Sequence, residues 1–291
     1  MSNNANLLGS PWSSLALHLH PSLASRRIQR CLERLARAFT PLPTPRDSLW
    51  WDDGHPLHLL HGLPRAALSG PTQEIKDTAH VLLSQLVVAD TLPLHIFDLR
   101  ALDGLCQRLP DVPLDDAVHL EDLAALPAAR EQARIIGYRD FQAALYRTLP
   151  RLSVEQPLKL RQANWRGSRF FLENEATTTL ALASIVAYAR IRGIAVEVPA
   201  QVQCLRLDPQ AIDRLQAAFA LYALPNAVWN HPDFIQVLLG LKVDYARLPL
   251  PAPGQDLEWL LLPNTVASAR VLGDTLGRLG AAEVIGYLEK L

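Results

Sequence analysis

Residues 158–207 have the sequence LKLRQANWRGSRFFLENEATTTLALASIVAYARIRGIAVEVPAQVQCLRL. Apolar and polar side chains alternate before and after the Asn-Trp-Arg-Gly segment at 164–167, which predicts two strands joined in a hairpin. A helical stretch follows over 176–192, and Gly193 is suited to its C-cap. Apolar alternation then returns over 196–205. Because the hydrophobic period changes from 2 to about 3.6 and back, the segment predicts one contiguous unit of hairpin, helix and strand.

The rest of the chain predicts an α/β protein of the α+β type. Apolar residues at helical spacing indicate helices over 23–39, 72–89, 128–149, 208–219 and 232–241, a buried strand over 257–262 and two closing helices within 264–291. We divide the chain into a flexible arm at 1–22, a helix-rich irregular N-terminal region at 23–150 and a domain with a small mixed sheet at 151–291. The helix-rich half is expected to pack on the mixed-sheet domain.

The composition limits the class of protein. Of the 291 residues, 49% are hydrophobic, which is enough for a sizeable core, and the formal net charge of -1 disfavours a nucleic-acid binder. The three cysteines lie far apart, so neither a disulfide framework nor a cysteine zinc site is expected. The N-terminus lacks the features of a signal peptide, and no apolar run is long enough to span a bilayer. We expect a cytoplasmic protein without a membrane partner; secretion without a cleavable signal stays an open alternative.

Arginines cluster on one face of the helix predicted over 23–39, and a loop rich in tryptophan and histidine follows it. Trp and Arg are the residue types most often central in protein interfaces. The expected interaction surface consists of Arg26, Arg27, Arg30, Arg34, Arg37, Trp50, Trp51 and His55. Two alternatives stay open. One is that the arginines form a solvated face, and the other is that the tryptophans join the two halves of the chain.

Three histidines, His55, His58 and His61, recur at every third residue in a loop rich in proline and glycine. This spacing is not that of a known metal site, and zinc needs three or four ligands that converge on one point. We therefore predict no bound metal here and no cofactor elsewhere. The histidines are expected to pack beside Trp50 and Trp51.

The candidate ligand site is the point where the second strand of the hairpin leads into the long helix. Free backbone N–H groups and the helix dipole favour an anion there, and threonine hydroxyls would add donors. The candidate ligand-binding residues are Arg169, Asn174, Glu175, Thr177 and Thr178. The alternative is a helix that Asn174 caps and whose threonines face solvent, because Glu173 and Glu175 would repel an anion.

This arrangement resembles the ParB/sulfiredoxin-like domain. In that family a hairpin strand ends in an Asp-Gly-Glu-Arg/His-Arg type of motif at a helix start, and the motif binds nucleotide phosphates. Here Glu173, Asn174 and Glu175 stand at the Asp-Gly-Glu part, while Ala176 and Thr177 stand at the basic positions. The resemblance implies the scaffold of a nucleotide site without its positive charge. We expect no nucleotide hydrolysis there, because phosphoryl transfer needs cationic groups.

Residues 149–291 also resemble a proteobacterial family of unknown function. The resemblance is carried by Pro157-Leu158-Lys159-Leu160-Arg161, the Trp165-x-Gly167 turn, Asn174, Val198-Pro199-Ala200, Leu207-Asp208-Pro209 and Leu261-Leu262-Pro263. Members of that family carry a Ser-His-His group at the helix start, where this chain has Thr177, Thr178 and Thr179. The resemblance implies that any histidine chemistry of the family is lost in this chain, and it brings no function with it.

These observations favour a non-enzymatic binding or regulatory protein that acts through protein contacts, with a degenerate ligand pocket and no catalytic residue. One alternative is a nucleotide-binding enzyme with a ParB/sulfiredoxin-like pocket at Arg169, Asn174, Glu175 and Thr178, in which Glu175 is a general base or metal ligand. A second alternative is a nucleic-acid binder that uses the arginine helix at 26–37. A protein partner is thus expected first, a nucleotide second and nucleic acid third.

Overall fold

The computed structural model describes residues 30, 32–42, 48–53, 56–109, 118–149, 155–173, 179–250 and 256–291. The chain divides into two compact units. The first unit contains Met1–Pro43, His55–Val87 and Leu207–Leu291, and the second contains Thr44–Gly54 and Val88–Arg206. Helices occur together with one mixed and one antiparallel sheet, so the predicted α+β class is confirmed.

The helices and strands are numbered along the chain. The helices are α1 (Gln73–Ser84), α2 (Leu120–Ala125), α3 (Pro127–Gln132), α4 (Tyr138–Thr148), α5 (Thr179–Arg192), α6 (Pro209–Ala218), α7 (Asn226–Trp229), α8 (Pro232–Gly240), α9 (Ala267–Arg278) and α10 (Ile285–Leu288). The strands are β1 (Val87–Asp98), β2 (Leu102–Leu105), β3 (Leu158–Ala163), β4 (Phe170–Leu172), β5 (Glu197–Leu207), β6 (Phe219–Pro225), β7 (Ala246–Pro249), β8 (Leu257–Pro263) and β9 (Ala282–Glu283). No helix among the residues that the structure describes has the length and apolar character needed to cross a membrane.

The sheet of the second unit has five strands in the order β1-β5-β3-β4-β2. β3 and β4 pair antiparallel as a hairpin, and β5 returns parallel to β3 after α5. The predicted unit of hairpin, helix and strand is therefore confirmed. β2 pairs parallel to β4, so this sheet takes strands from both sides of residue 150.

The core of the second unit is built around α5. Its side chains are buried on nearly every side over 179–189, because α2, α3 and α4 pack on it and it also contributes to the same apolar cluster as β3 and β5. A helix that is apolar all round is stable in this setting, since no face of it needs to meet water. The cluster includes Leu160, Ile185, Val186 and Val202.

The edge strand β1 is exposed over most of its length. Val88, Leu92 and Ile96 are exposed apolar residues on it, and Pro93 lies at its centre. Such an edge gives little hydrophobic alternation, which explains why the sequence did not predict this strand.

The first unit holds a second sheet, in the order β7-β8-β6-β9, with all three pairings antiparallel. Every residue of β8 is buried, and α9 packs on both β6 and β8. The Arg247 guanidinium forms an ion pair with the buried Glu258 carboxylate, and its Cζ lies 4.4 Å from the centroid of the Trp229 ring. This sheet was not predicted as such; the sequence indicated only its strand at 257–262.

Of the predicted helix over 23–39, residues 30 and 32–39 are described. Residues 32–35 are helical and lead into a 3-10 turn at Ala36–Ala38. Leu32 and Leu35 are buried in the core of the first unit, while Arg34 is exposed and forms an ion pair with Asp233, with 2.7 Å between Nη2 and Oδ2. The described part is thus amphipathic, as the apolar spacing predicted.

Two predicted helices are shorter than expected. The helix predicted over 72–89 ends at Ser84, and β1 begins soon after it. The helix predicted over 208–219 ends at Ala218, and Phe219 begins β6. In both places no Gly or Pro separates the two elements, so the apolar spacing alone gave no boundary.

The stretch predicted as one helix over 128–149 contains two, α3 and α4. Ile136 and Gly137 donate their backbone N–H groups to Asp140 Oδ2, each over 3.1 Å, and these bonds start α4 as a new helix. The two closing helices predicted after 264 are α9 and the short α10, with β9 between them.

Candidate functional site

The two tryptophans of the predicted interaction surface are buried. Trp50 is 2% exposed and Trp51 is 5% exposed. The Trp51 ring meets Phe171 edge-on, with 5.3 Å between centroids, and the Arg161 Cζ lies 5.3 Å from the Trp51 ring centroid. Their expected exposure is therefore wrong, because residues distant in sequence cover both rings. They pack inside the second unit instead.

Two arginines fix the loop that carries these tryptophans. Arg166, itself buried, donates from Nη2 to the Trp50 carbonyl over 2.8 Å and from Nη1 to the Asp53 carbonyl. Arg169 donates to the carbonyls of Ser48 and Asp103, over 3.1 and 3.3 Å. Charged donors to backbone carbonyls are among the stronger hydrogen bonds in proteins. Both guanidinium groups therefore stabilise the loop at 48–53.

Of the predicted ligand-binding residues, only Arg169 is described. Asn174, Glu175, Thr177 and Thr178 lie outside the described residues. Arg169 is on the same sheet face as Phe171, since alternate strand residues share a face, and its Cζ lies 5.5 Å from that ring centroid. Its bonds to two backbone carbonyls show that its charge is used within the protein.

Arg161, Glu173 and Gln203 form a second cluster of polar side chains in the same unit. Arg161 donates from Nη2 to Glu173 Oε1 over 2.5 Å and from Nε to Gln203 Oε1 over 3.1 Å. Burial raises the pKa of the Asp52 carboxyl above its ordinary value, and the Arg108 and Arg161 charges oppose that shift. The positive charge of Arg161 is therefore already balanced by nearby carboxyl groups of the protein.

Cys106 lies close to the charges of Arg161, Glu173 and Asp52, but its thiol is unreactive. Burial raises the pKa of its thiol to about 12, although the Arg161 charge acts in the opposite direction. The thiolate is the nucleophilic form of cysteine, so Cys106 is protonated and unreactive at neutral pH.

The arginine and histidine predictions are only partly covered by the structure. Arg30, Arg34 and Arg37 are exposed, and Arg26, Arg27 and His55 lie outside the described residues. His61 Nδ1 lies 3.3 Å from the Val87 carbonyl, and His58 is half-buried. The part of the chain that the structure describes contains no group of three His, Cys, Asp or Glu side chains placed to hold a metal ion.

A different surface stands out on α4, on the turn before it and on the end of α5. Four large apolar side chains are exposed there: Tyr146 at 80%, Ile191 at 78%, Ile136 at 69% and Tyr138 at 56%. Arg139, Arg147 and Arg192 are exposed beside them. We call these seven residues the α4 surface. Tyrosine and arginine are enriched in protein interfaces, where a side chain needs both apolar area and a polar end.

Aromatic rings connect the α4 surface to the core. The ring centroids of Tyr138 and Phe141 are 6.1 Å apart, and Phe141 stacks on Tyr188 with 4.9 Å between centroids. Arg192 Cζ lies 5.7 Å from the Tyr188 centroid. Since Phe141 is fully buried, the row of rings holds α4 and α5 in a fixed relation. The exposed groups are thus carried by a rigid support.

The charge of the α4 surface is positive. Arg139, Arg147 and Arg192 form no ion pair with another described residue. Asp140, the nearest acidic residue in sequence, instead accepts the backbone N–H groups that start α4. The surface therefore presents cationic groups next to exposed apolar ones.

A family model for a family of unknown function, DUF6685, matches residues 92–291. The chain belongs to DUF6685. Comparison with curated proteins and with solved structures gave no match. The predicted membership of an uncharacterised family is thereby confirmed. The DUF6685 match includes the whole α4 surface, whereas Trp50, Trp51 and the arginines at 26–37 precede it.

The sequence of this DUF6685 member contains a pattern that indicates the α4 surface and that the sequence analysis did not use. Tyr138-Arg139 and Tyr146-Arg147 are two Tyr-Arg pairs about two helical turns apart. Within an amphipathic helix whose buried face is Phe141 and Ala144, such pairs fall on the side away from the core.

Proposed function

We propose that this DUF6685 member is a binding protein that acts through protein contacts, and that the α4 surface is the contact. The proposal rests on one observation: four large apolar side chains on α4, on the turn before it and on the end of α5 are exposed, and so are three arginines that follow three of them in sequence. Large exposed apolar patches on monomers mark interaction sites. Tyrosine and arginine are also the residue types that contribute most to binding energy.

The partner is proposed to be an acidic protein surface. The arginines of the α4 surface would meet carboxylates on the partner, while Tyr138, Tyr146 and the two isoleucines are covered by apolar groups. Complementary charges raise the rate of association and select the partner, and the apolar area supplies the affinity.

The test is affinity capture from a cell extract with three forms of the chain. These are the native chain, the double variant Tyr138→Ala, Tyr146→Ala, and the control variant Leu239→Ala, which removes an equally exposed apolar side chain on α8. We expect one protein to be retained by the native chain and the control. Its amount should fall by at least about tenfold with the double variant, since interface hot spots contribute roughly 2 kcal/mol or more.

Charge is tested separately with Arg139 and Arg147. The reversal Arg139→Glu, Arg147→Glu should release the captured protein, and the conservative pair Arg139→Lys, Arg147→Lys should retain it. Circular dichroism spectra and thermal unfolding curves of all variants should match those of the native chain, because the altered side chains are exposed. If every captured protein is retained equally by all variants, the α4 surface is not the contact.

The alternatives from the sequence stay proposals of lower rank. The order of hairpin, helix and returning strand supports a ParB/sulfiredoxin-like scaffold at 158–207. A nucleotide at that site would have to replace the bonds of Arg169 to the Ser48 and Asp103 carbonyls. A nucleic-acid contact through the arginines at 26–37, a bacterial source in the proteobacteria and a cytoplasmic location are likewise proposed on sequence grounds alone.

A further inference from the structure

A cleft lies at the end of the five-stranded sheet, where the turn between β3 and β4 approaches β1 and β5. Its volume is about 450 Å³, which is within the range of about 300–1,000 Å³ found for small-molecule sites. The polar lining is supplied by Asp90, Thr91, Gln162, Asn164, Ser168 and Arg206, all within the second unit.

The amide of Gln162 is held in one orientation inside the cleft. Its Nε2 donates to the Ser168 carbonyl over 2.5 Å, and the Cys204 thiol donates to its Oε1 over 3.6 Å. An amide group has two N–H donors and two acceptor lone pairs. One donor and one lone pair of Gln162 are therefore available to a bound molecule after these two bonds are counted.

The turn that forms one wall of the cleft has an uncommon backbone. Gly167 has φ of 67° and Ser168 has φ of 58°, so two successive residues adopt the left-handed conformation. For a non-glycine residue such as Ser168 this conformation is uncommon, and residues of this kind cluster at ligand-binding positions. The bond from Gln162 to the Ser168 carbonyl holds it in place.

The cleft carries one acid and one base. Asp90 and Arg206 form an ion pair across β1 and β5, with 2.7 Å between Oδ2 and Nη2, and both side chains are at least half exposed. An exposed ion pair contributes little to stability, so a ligand can separate its two charges at small cost. A ligand with an anionic group for Arg206 and a cationic group for Asp90 replaces the ion pair that its binding separates.

We propose that the cleft binds a small zwitterion, namely a free α-amino acid. Its carboxylate would be held by Arg206, its ammonium group by Asp90, and its remaining polar atoms by Gln162 and Ser168. A net-neutral site favours a net-neutral ligand. A polyol offers no charge to replace the ion pair, and a simple acid or amine replaces only one half of it.

The test is calorimetric titration of the full chain with each of the standard L-amino acids. At least one should bind saturably, and its des-amino and decarboxylated analogues should bind at least about tenfold more weakly. Asp90→Asn and Arg206→Gln should each weaken binding to the same extent. The control Arg100→Gln alters a matched ion pair with Asp98 outside the cleft and should leave binding unchanged.

Three results would overturn the proposal: no amino acid binds, a neutral sugar binds in place of the amino acids, or binding is unaffected by Arg206→Gln. If either single variant fails to fold, the double variant Asp90→Asn, Arg206→Gln is used, because it leaves no charge unpaired. Binding to the native chain but not to the folded double variant supports the zwitterion site, and equal binding to both rejects it.

Discussion

Arg166 Nη2 donates a hydrogen bond to the backbone carbonyl of Trp50, with 2.8 Å between nitrogen and oxygen. The two residues are 116 positions apart in the chain, so the bond joins the hairpin turn to a loop that precedes the whole sheet. Because the Arg166 side chain is buried, its charge depends on partners such as these carbonyls.

Replacing Arg166 is therefore expected to destabilise the protein strongly. Arg166→Ala leaves the carbonyls of Trp50 and Asp53 without their donor, and we expect the free energy of unfolding to fall by about 2–4 kcal/mol. Urea denaturation followed by tryptophan fluorescence measures the change. Arg139→Ala, which removes an exposed arginine, is the control and should change stability by no more than about 0.5 kcal/mol. Similar values for both variants would contradict the role given to Arg166.

Phe141 supports the α4 surface from below. Phe141→Ala removes a fully buried ring that stacks on Tyr188, so we expect a loss of about 3–5 kcal/mol in the free energy of unfolding. Tyr146→Ala, on the exposed side of the same helix, should stay within about 0.5 kcal/mol of the native value. Denaturant titrations of the two variants give the comparison, and a mild effect of Phe141→Ala would show that α4 is held in another way.

Asp98 should make stability depend on pH in the acid range. Its side chain accepts from the Arg100 side chain, and this bond lowers the pKa of the Asp98 carboxyl below its ordinary value of 3.8. A lowered pKa in the folded state contributes stability that is present above pH 3.8 and is lost as the pH falls through the folded pKa. Asp98→Asn should therefore cost more stability at pH 7 than at pH 2. Thermal unfolding at the two pH values tests this, and an equal cost at both would contradict it.

Cys106 should resist alkylation until the protein unfolds. With a thiol pKa of about 12, only about one molecule in ten thousand carries the thiolate at pH 8. The variant Cys31→Ser, Cys204→Ser leaves Cys106 as the single thiol. Iodoacetamide should label it slowly in buffer and fully in urea, as measured by intact mass. Rapid labelling of the native protein would show that Cys106 is accessible and ionised.

The second sheet and β1 show where sequence reasoning reaches its limit. The hairpin, α5 and β5 were predicted because a turn with Gly167 and a cap at Gly193 mark the changes of hydrophobic period. The order of the strands was not predicted, because pairing of β2 with β4 joins segments that nothing local connects. Strand β6 follows α6 without a break, so its apolar residues continued the helical pattern.

The burial of the two tryptophans was missed for a related reason. Trp50 and Trp51 have the composition of an interface, yet Phe171 and Arg161 cover Trp51 from positions more than a hundred residues away. Exposure is a property of the packed structure, and side-chain type alone does not fix it. The helix carrying Tyr138 and Tyr146 was predicted, and the burial of Phe141 identifies the opposite side of that helix as the outward one.

Pro93 affects whether the edge strand β1 can pair with a strand of another molecule. A long edge strand with exposed Val88, Leu92 and Ile96 is a template on which another chain can add a strand and start aggregation. Proline has no N–H and is tolerated within a sheet where that missing donor faces the unpaired edge, so this rule places the missing donor of Pro93 on the free edge of β1. An incoming strand therefore cannot form an unbroken ladder, and at high concentration each molecule is protected from its own copies.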